Sequence, residues 1–346
     1  MWLLGTARAN LVFFPRTEDV PGGFAILSHT WQDDEDTFQN VQLLNKEANQ
    51  AGEEPPHNPT APPWFNPRDR LSHKVSKFLE RAEKAGYKYA WVDTCCIDKT
   101  SSAELTEAIN SMFTYYARSS ICVVYLSDVV MDGVPLSGPL SHASNPQDLR
   151  DAFKRSRWHE RGWTLQELLA SPFVVFFSRD WVFLGNKIEL STLLAESTDI
   201  PAPVLRFETP ITDMSIATRM SWASQRVTTR PEDAAYCLFG IFGVNMPTLY
   251  GEGSENAFYR LLEEIMKTSR DPSLFLWQWP SSYTDLDALL STLSTQSSTS
   301  RHILPSSPAH FTQCNTLKYD ADTRMSIHEK EVYLSVYLLC QSPLTR

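Results

Sequence analysis

Ser120-Ile-Cys-Val-Val-Tyr-Leu126 is the stretch on which the fold turns. Six apolar or aromatic residues follow the serine without a break. A strand with one face in water alternates polar and apolar residues, whereas a run without alternation belongs to a strand covered on both faces. Three further runs read as strands. Phe24-Ala-Ile-Leu-Ser-His29 follows the turn Pro21-Gly22-Gly23, Tyr89-Ala-Trp-Val-Asp93 comes next, and Phe173-Val-Val-Phe-Phe177 closes the set. Helical spacing lies between them. Val75, Phe78, Leu79 and Ala82 line one face of a helix from Leu71 that stops at Gly86. Leu105, Ala108, Ile109, Met112 and Phe113 line a second, from Glu104 to about Arg118, capped by Ser101 or Ser102. Strands alternating with helices over 24–177 predict an α/β fold with a mainly parallel sheet flanked by helices. In such sheets ligands bind beyond the carboxyl ends of strands. Ser28-His-Thr-Trp31, Asp93-Thr-Cys-Cys-Ile-Asp98 and Ser127-Asp128 all follow strand ends.

The rest of the chain reads differently. Residues 47–70 carry six prolines among polar residues and read as a surface loop or insertion. Residues 131–148 read as a Gly/Pro/Ser loop. From 186 to 280 the pattern is helical, with helices expected over Glu189–Glu196, over Pro231–Gly240, and from Ser254 or Glu255 with Phe258, Leu261, Leu262 and Ile265 inward. Residues 281–300 are rich in Ser and Thr. Strand-like pieces such as Glu331-Val-Tyr-Leu-Ser-Val-Tyr-Leu-Leu339 follow. The domain reading is therefore an α/β core over 1–185, a helical extension over 186–280, and a linker with a small β-containing segment over 281–346. The end shows no clear stop, as in a fragment of a longer protein.

Composition narrows the function classes. The chain has 346 residues and a net charge of -10. That charge argues against a general nucleic-acid binder, which needs a basic face. No run approaches the ~20 apolar residues of a membrane span, and the N-terminus lacks the layout of a signal peptide. A cytoplasmic location is the expectation. The six cysteines form no CxxC pair, and Cys95, Cys96 and Cys122 lie in apolar, strand-like runs, so buried free thiols are expected and no metal site. No GxGxxG or GxxxxGK[ST] motif is present.

Ser156-Arg-Trp-His-Glu-Arg-Gly-Trp-Thr-Leu-Gln-Glu-Leu-Leu-Ala170 carries the candidate chemistry. It reads as one helix start. Trp163 and Glu167 are four apart and share a face, with Leu165, Leu168 and Leu169 turned to a core. A ring can stack on a flat ligand, and a carboxylate can stabilise developing positive charge. The bland alternative is a buried Trp beside a solvated Glu. His159 and Glu160 are expected to be exposed.

Five motifs in order resemble the HET domain of fungal heterokaryon-incompatibility proteins: Ala25-Ile-Leu-Ser-His-Thr-Trp31, Trp91-Val-Asp-Thr-Cys-Cys-Ile-Asp98, Ser111-Met-Phe-Thr-Tyr-Tyr-Ala117, Tyr125-Leu-Ser-Asp128, and Arg161-Gly-Trp-Thr-Leu-Gln-Glu-Leu-Leu-Ala170. Arg230-Pro-Glu-Asp-Ala-Ala-Tyr236 and Asn245-Met-Pro-Thr-Leu-Tyr-Gly-Glu-Gly253 match the extension of a large HET subgroup. The resemblance covers roughly residues 1–280. It implies a role in the cell death that follows fusion of genetically different fungal cells. HET domains look in turn like distant relatives of TIR domains, several of which cleave NAD. The resemblance therefore implies a TIR-like sheet and an NAD+ glycohydrolase, with NAD+ as substrate and no resident cofactor. Glu167 is its candidate catalytic carboxylate. Ser28, His29, Trp31, Asp93, Asp98, Arg161 and Trp163 are its candidate binding residues, with Arg161 for a phosphate and Asp93 and Asp98 for ribose hydroxyls or loop position. Self-association and a partner death-signalling protein are the expected contacts. A non-catalytic death-signalling module working by association is the competing reading, with these aromatics in a core and these acids in turns. Cysteine catalysis through Cys95 or Cys96 is a third.

Overall fold

A computed structural model of the chain describes residues 1–51, 65–130, 146–275, 277 and 304–315. Much of the Pro-rich stretch, the 131–145 loop, the Ser/Thr-rich segment and the strand-like pieces near the end lie outside the described residues. The chain divides into two compact units, Met1–Ser197 and Thr198–Arg346.

The first unit is built on a seven-stranded sheet of order β2-β1-β4-β3-β5-β6-β7. The strands are β1 (Trp2–Gly5), β2 (Leu11–Phe13), β3 (Ala25–His29), β4 (Tyr89–Trp91), β5 (Ile121–Leu126), β6 (Val174–Ser178) and β7 (Phe183–Asn186). The four central strands, β4-β3-β5-β6, are mutually parallel. β1, β2 and β7 extend the sheet antiparallel at its two edges. The sheet was readable in its centre and not at its edges. β5 sits between β3 and β6, and five of its six residues are buried, as its unbroken apolar run requires. Gly23, in the turn before β3, has φ of 74°, a left-handed conformation that favours glycine, and a Cβ there would press on the Ser120 hydroxyl at the start of β5.

Among the described residues this unit has eight α-helices: α1 (Phe38–Ala51), α2 (His73–Lys84), α3 (Asp93–Cys96), α4 (Ser102–Arg118), α5 (Pro146–Lys154), α6 (Arg157–Glu160), α7 (Gly162–Ala170) and α8 (Ser191–Thr198). α2 packs against β4, and α4 packs on α7, which packs on β3. Ser101 caps α4 by accepting a hydrogen bond from Glu104 N. Several expectations need correction. Residues 47–51 end α1 rather than opening a loop, and 67–70 form a 3-10 turn. Cys95 and Cys96 sit in a helical turn, not a strand, because Asp93 opens α3 directly after β4. The stretch 156–170 is two helices, since Arg161 is extended (φ −78°, ψ 134°) and breaks the chain between them. α7 is not amphipathic: all its residues but Trp163 are buried, Glu167 included. His159 is buried, its Nε2 3.0 Å from the Phe153 carbonyl oxygen. α8 starts two residues late because Asn186 Oδ1 accepts the N–H groups of Ile188 and Glu189 and forms a turn first.

The second unit contains α9 (Ala202–Leu205), α10 (Ile216–Ser221), α11 (Asp233–Tyr236), α12 (Phe239–Phe242) and α13 (Ser254–Thr268). Phe258, Leu261, Leu262 and Ile265 of α13 are buried, as their spacing predicts. The single helix expected over Pro231–Gly240 is two short ones. The stop is Gly243, left-handed at φ 65°, and not Gly240. The 3-10 turn Pro308–Phe311 packs on α10, and Thr218 Oγ1 donates to the Cys314 carbonyl.

Candidate functional site

The parallel strands run in the spatial order second, first, third, fourth. The connections leaving β3 and β5 therefore part in opposite directions, and a crevice opens beyond their carboxyl ends. Ser28 and His29 end β3, Asp93 follows β4, and α7 brings Glu167 to the same place. Asp128, just after β5, holds the start of α6 by accepting from Ser156 Oγ at 2.7 Å and Arg157 N at 2.8 Å. Lys187, fully buried after β7, donates to the carbonyls of Leu168 and Ser171 at 3.0 and 2.5 Å. Those are orphan carbonyls at the end of α7, where a cation is favoured. Burial pushes the Lys187 pKa down to about 7, opposed by the charge of Cys122.

Glu167 is 7% exposed. Its Oε2 accepts a short hydrogen bond from Ser28 Oγ. The indole Nε1 of Trp158 donates to Ser28 Oγ at 2.8 Å, and Trp158 and Ser28 are themselves fully buried. With one acceptor lone pair taken by the indole, the serine hydroxyl is steered toward the carboxylate. Tyr116, whose hydroxyl donates to the Leu27 carbonyl at 3.0 Å, approaches from α4. Burial pushes the Glu167 pKa up to about 8 and the Asp93 charge adds to the rise, while Ser28, Arg161 and Tyr116 oppose it. A carboxyl group with that pKa, at the carboxyl edge of a parallel sheet, is poised to change protonation near neutrality.

A second layer lies beside it. His29 Nε2 is 2.9 Å from Asp93 Oδ1, and Trp31 Nε1 donates to Asp93 Oδ2 at 2.7 Å. Burial alone would raise the Asp93 pKa, but His29, Lys99 and the Trp31 indole hold it well below the usual carboxylate range. Glu35 joins from the β3–α1 connection, with Lys74 Nζ 2.5 Å from its Oε1. His29 Nδ1 and Glu35 Oε2 are buried without a hydrogen-bond partner. Trp31 is 40% exposed and is not a core aromatic. Lys99 Nζ lies 3.7 Å and Arg161 Cζ 4.7 Å from its ring centroid.

The predicted residues thus divide into groups. Ser28 contacts Glu167, and Arg161 acts on it electrostatically. His29, Trp31 and Asp93 form one hydrogen-bonded cluster. Trp163 sits half-buried one turn before Glu167 on α7. Asp98 is spent elsewhere, accepting from Gln39 Nε2 at 2.7 Å and from Thr100 N and Oγ1 at 2.9 and 2.6 Å in a surface turn. Sequence reasoning missed Lys99, Tyr116 and Lys187, and it used Trp158 only as a motif position. Burial pushes the Cys96 thiol up to about 12 and the Cys95 thiol well above its ordinary range, which argues against thiolate catalysis at either.

Comparison with known proteins supplies the family. The heterokaryon incompatibility protein (HET) family matches residues 24–145, the segment from β3 through β5. The vegetative incompatibility protein HET-E-1 of Podospora anserina is 42% identical over 256 residues, which cover 72% of this chain. The chain belongs to the HET domain family. It spans 17% of the length of HET-E-1, so the shared region is one part of that longer protein. No solved structure matches this HET chain. Among the described residues no helix is long and apolar enough to cross a membrane.

Proposed function

We propose that this HET protein is a cell-death effector of heterokaryon incompatibility, and that its first unit is a TIR-like NAD+ glycohydrolase with Glu167 as the catalytic carboxylate. The observation that carries the reading is the buried Glu167, held by Ser28 beyond the carboxyl end of β3, with its pKa near 8. Breaking the nicotinamide–ribose bond leaves positive charge on the ribose and releases neutral nicotinamide. A carboxylate beside the ribose stabilises that charge, as in glycoside hydrolysis, until water adds at the same carbon and loses a proton. Free Glu167 is mostly protonated at neutral pH. A cationic nicotinamide ring next to it favours the ionised form, so substrate binding itself generates the working carboxylate. The Trp163 ring stacks on a flat portion of the substrate, and Asp93, fixed by His29 and Trp31, orients ribose hydroxyls. Self-association and contact with a partner death-signalling protein in the cytoplasm complete the proposal.

The test is nicotinamide release from NAD+ by the purified chain over a range of protein concentrations, with Glu167→Gln alongside. Release that falls at least a thousandfold in a folded Glu167→Gln chain is the expected result. No release at any concentration, from a folded chain that binds no NAD+, would shift the assignment to a non-catalytic module acting by association.

A further inference from the structure

Lys99 and Arg161 come from distant parts of the chain and meet on one indole. Lys99 follows α3 and lies two residues before the Ser101 cap of α4, whereas Arg161 links α6 to α7. Both charged groups lie against the Trp31 ring, at 3.7 and 4.7 Å from its centroid, and the ring is exposed. The ring cannot swing away freely, because its Nε1 is tied to Asp93. Asp93 acts on Lys99 electrostatically, and its two oxygens are already engaged by His29 and Trp31. Among the described residues Lys99 makes no ion pair. Burial lowers the Lys99 pKa, Asp93 and Glu35 oppose that, and the like charge of Arg161 adds to the lowering.

We infer that Lys99 and Arg161 form a subsite for a diphosphate group, with Trp31 as the platform that holds the two cations ready. This inference rests on the catalytic reading of Glu167 and adds the substrate class: dinucleotides and nucleoside diphosphates rather than nucleosides. A phosphate oxygen accepts charge-assisted hydrogen bonds from a guanidinium fork and an ammonium, and these are stronger than a cation–π contact on an exposed ring. A diphosphate therefore draws both cations off the indole and frees its face for a planar base. It also relieves the repulsion between the two cations. The chain's overall negative charge opposes anions at long range, so the affinity depends on these two side chains.

Calorimetric titration of the full chain with ADP, inorganic pyrophosphate and adenosine tests this directly. Lys99→Gln is the first variant, since Lys99 is exposed and the change leaves the core untouched. Arg161→Gln and the conservative Lys99→Arg accompany it, each checked by thermal melting. The expected result is that Lys99→Gln and Arg161→Gln weaken ADP and pyrophosphate at least tenfold, leave adenosine unchanged, and that Lys99→Arg recovers most of the loss. Wild-type affinity for ADP and pyrophosphate in both Gln variants overturns the inference, as does a wild-type chain that binds neither. The two readings separate cleanly. ADP binding that needs Lys99, in a chain that releases no nicotinamide, keeps the subsite and removes the hydrolase. NAD+ cleavage with unchanged KM in Lys99→Gln keeps the hydrolase and removes the subsite.

Discussion

Two clusters of carboxylates, one in each unit, use the same chemistry to opposite ends. In the second unit, Arg230-Pro-Glu-Asp-Ala-Ala-Tyr236 and Tyr250-Gly-Glu-Gly253 fold against each other as a clasp. Glu232 Oε1 accepts from Gly251 N at 2.9 Å and Gly253 N at 3.1 Å. Tyr250 donates to Asp233 at 2.9 Å, and Tyr236 and Arg260 both donate to Glu252 Oε1 at 2.6 Å. Burial alone would raise the Glu232 pKa, but backbone hydrogen bonds and Arg230 carry it below its ordinary value. In the first unit, Glu167 accepts from hydroxyls alone and burial wins, so its pKa rises. Among the described residues, buried polar atoms of His29, Glu35 and Gln166 have no hydrogen-bond partner. A carboxylate supplied with backbone N–H groups and an arginine is fixed as an anion and holds chain segments together. One surrounded by apolar walls and a serine keeps its proton available. The contrast supports the proposal that the second unit's motif is structural and the first unit's chemical.

The contrast breaks first at Glu167 itself. A carboxyl group whose folded pKa is about 8, against an ordinary 4.5, stabilises the fold fully below pH 4.5 and loses that contribution as pH rises through 8. The stability of Glu167→Gln relative to the wild type should therefore climb between pH 5 and pH 8, by on the order of a few kcal/mol, and then level. Urea unfolding of both chains at three pH values reads this, and a flat difference would place Glu167 in the same class as Glu232. Next in size is the clasp. Glu232→Ala takes the carboxylate acceptor from the N–H groups of Gly251 and Gly253 and should destabilise the second unit by roughly 1–2 kcal/mol. Its melting temperature falls while the pH dependence at Glu167 is retained. The smallest effect sharpens the comparison within the site. Ser28→Ala removes the hydrogen bond that favours the Glu167 carboxylate, so the ascending limb of the kcat pH profile should move to higher pH, with KM little changed. An unmoved profile would show that Ser28 only packs.

The legible parts of this molecule are those with local signals. β5 and β3 announced themselves by runs that do not alternate, and α13 by its 3.6-residue spacing. Glu167 was singled out by the helix face it shares with Trp163 and by motif order, but its burial was not legible, because a Glu among leucines reads equally well as a solvated one. β1, β2 and β7 carry three or four residues each, too few for a periodic signal. The pairing of Trp158 with Ser28 spans 130 residues, and that of Trp31 with Asp93 spans 62. No spacing rule connects such positions; the strand order does. Lys187 was unreadable for a related reason, since a lone lysine after a strand gives no hint that it closes a helix 16 and 19 residues earlier.

The strand order has a consequence for the chain as it is made. β3, with Ser28 and His29, leaves the ribosome well before α7, and Glu167 lies 139 residues downstream of Ser28. Synthesis runs from the N-terminus, and a contact of such separation closes late. A nascent or prematurely ended chain up to β5 can hold Asp93, Trp31 and Lys99 but has no Glu167. If Glu167 is the working carboxylate proposed above, this gives a safeguard at the level of translation: an incomplete product lacks that carboxylate, and the site exists only once α7 has docked on the sheet.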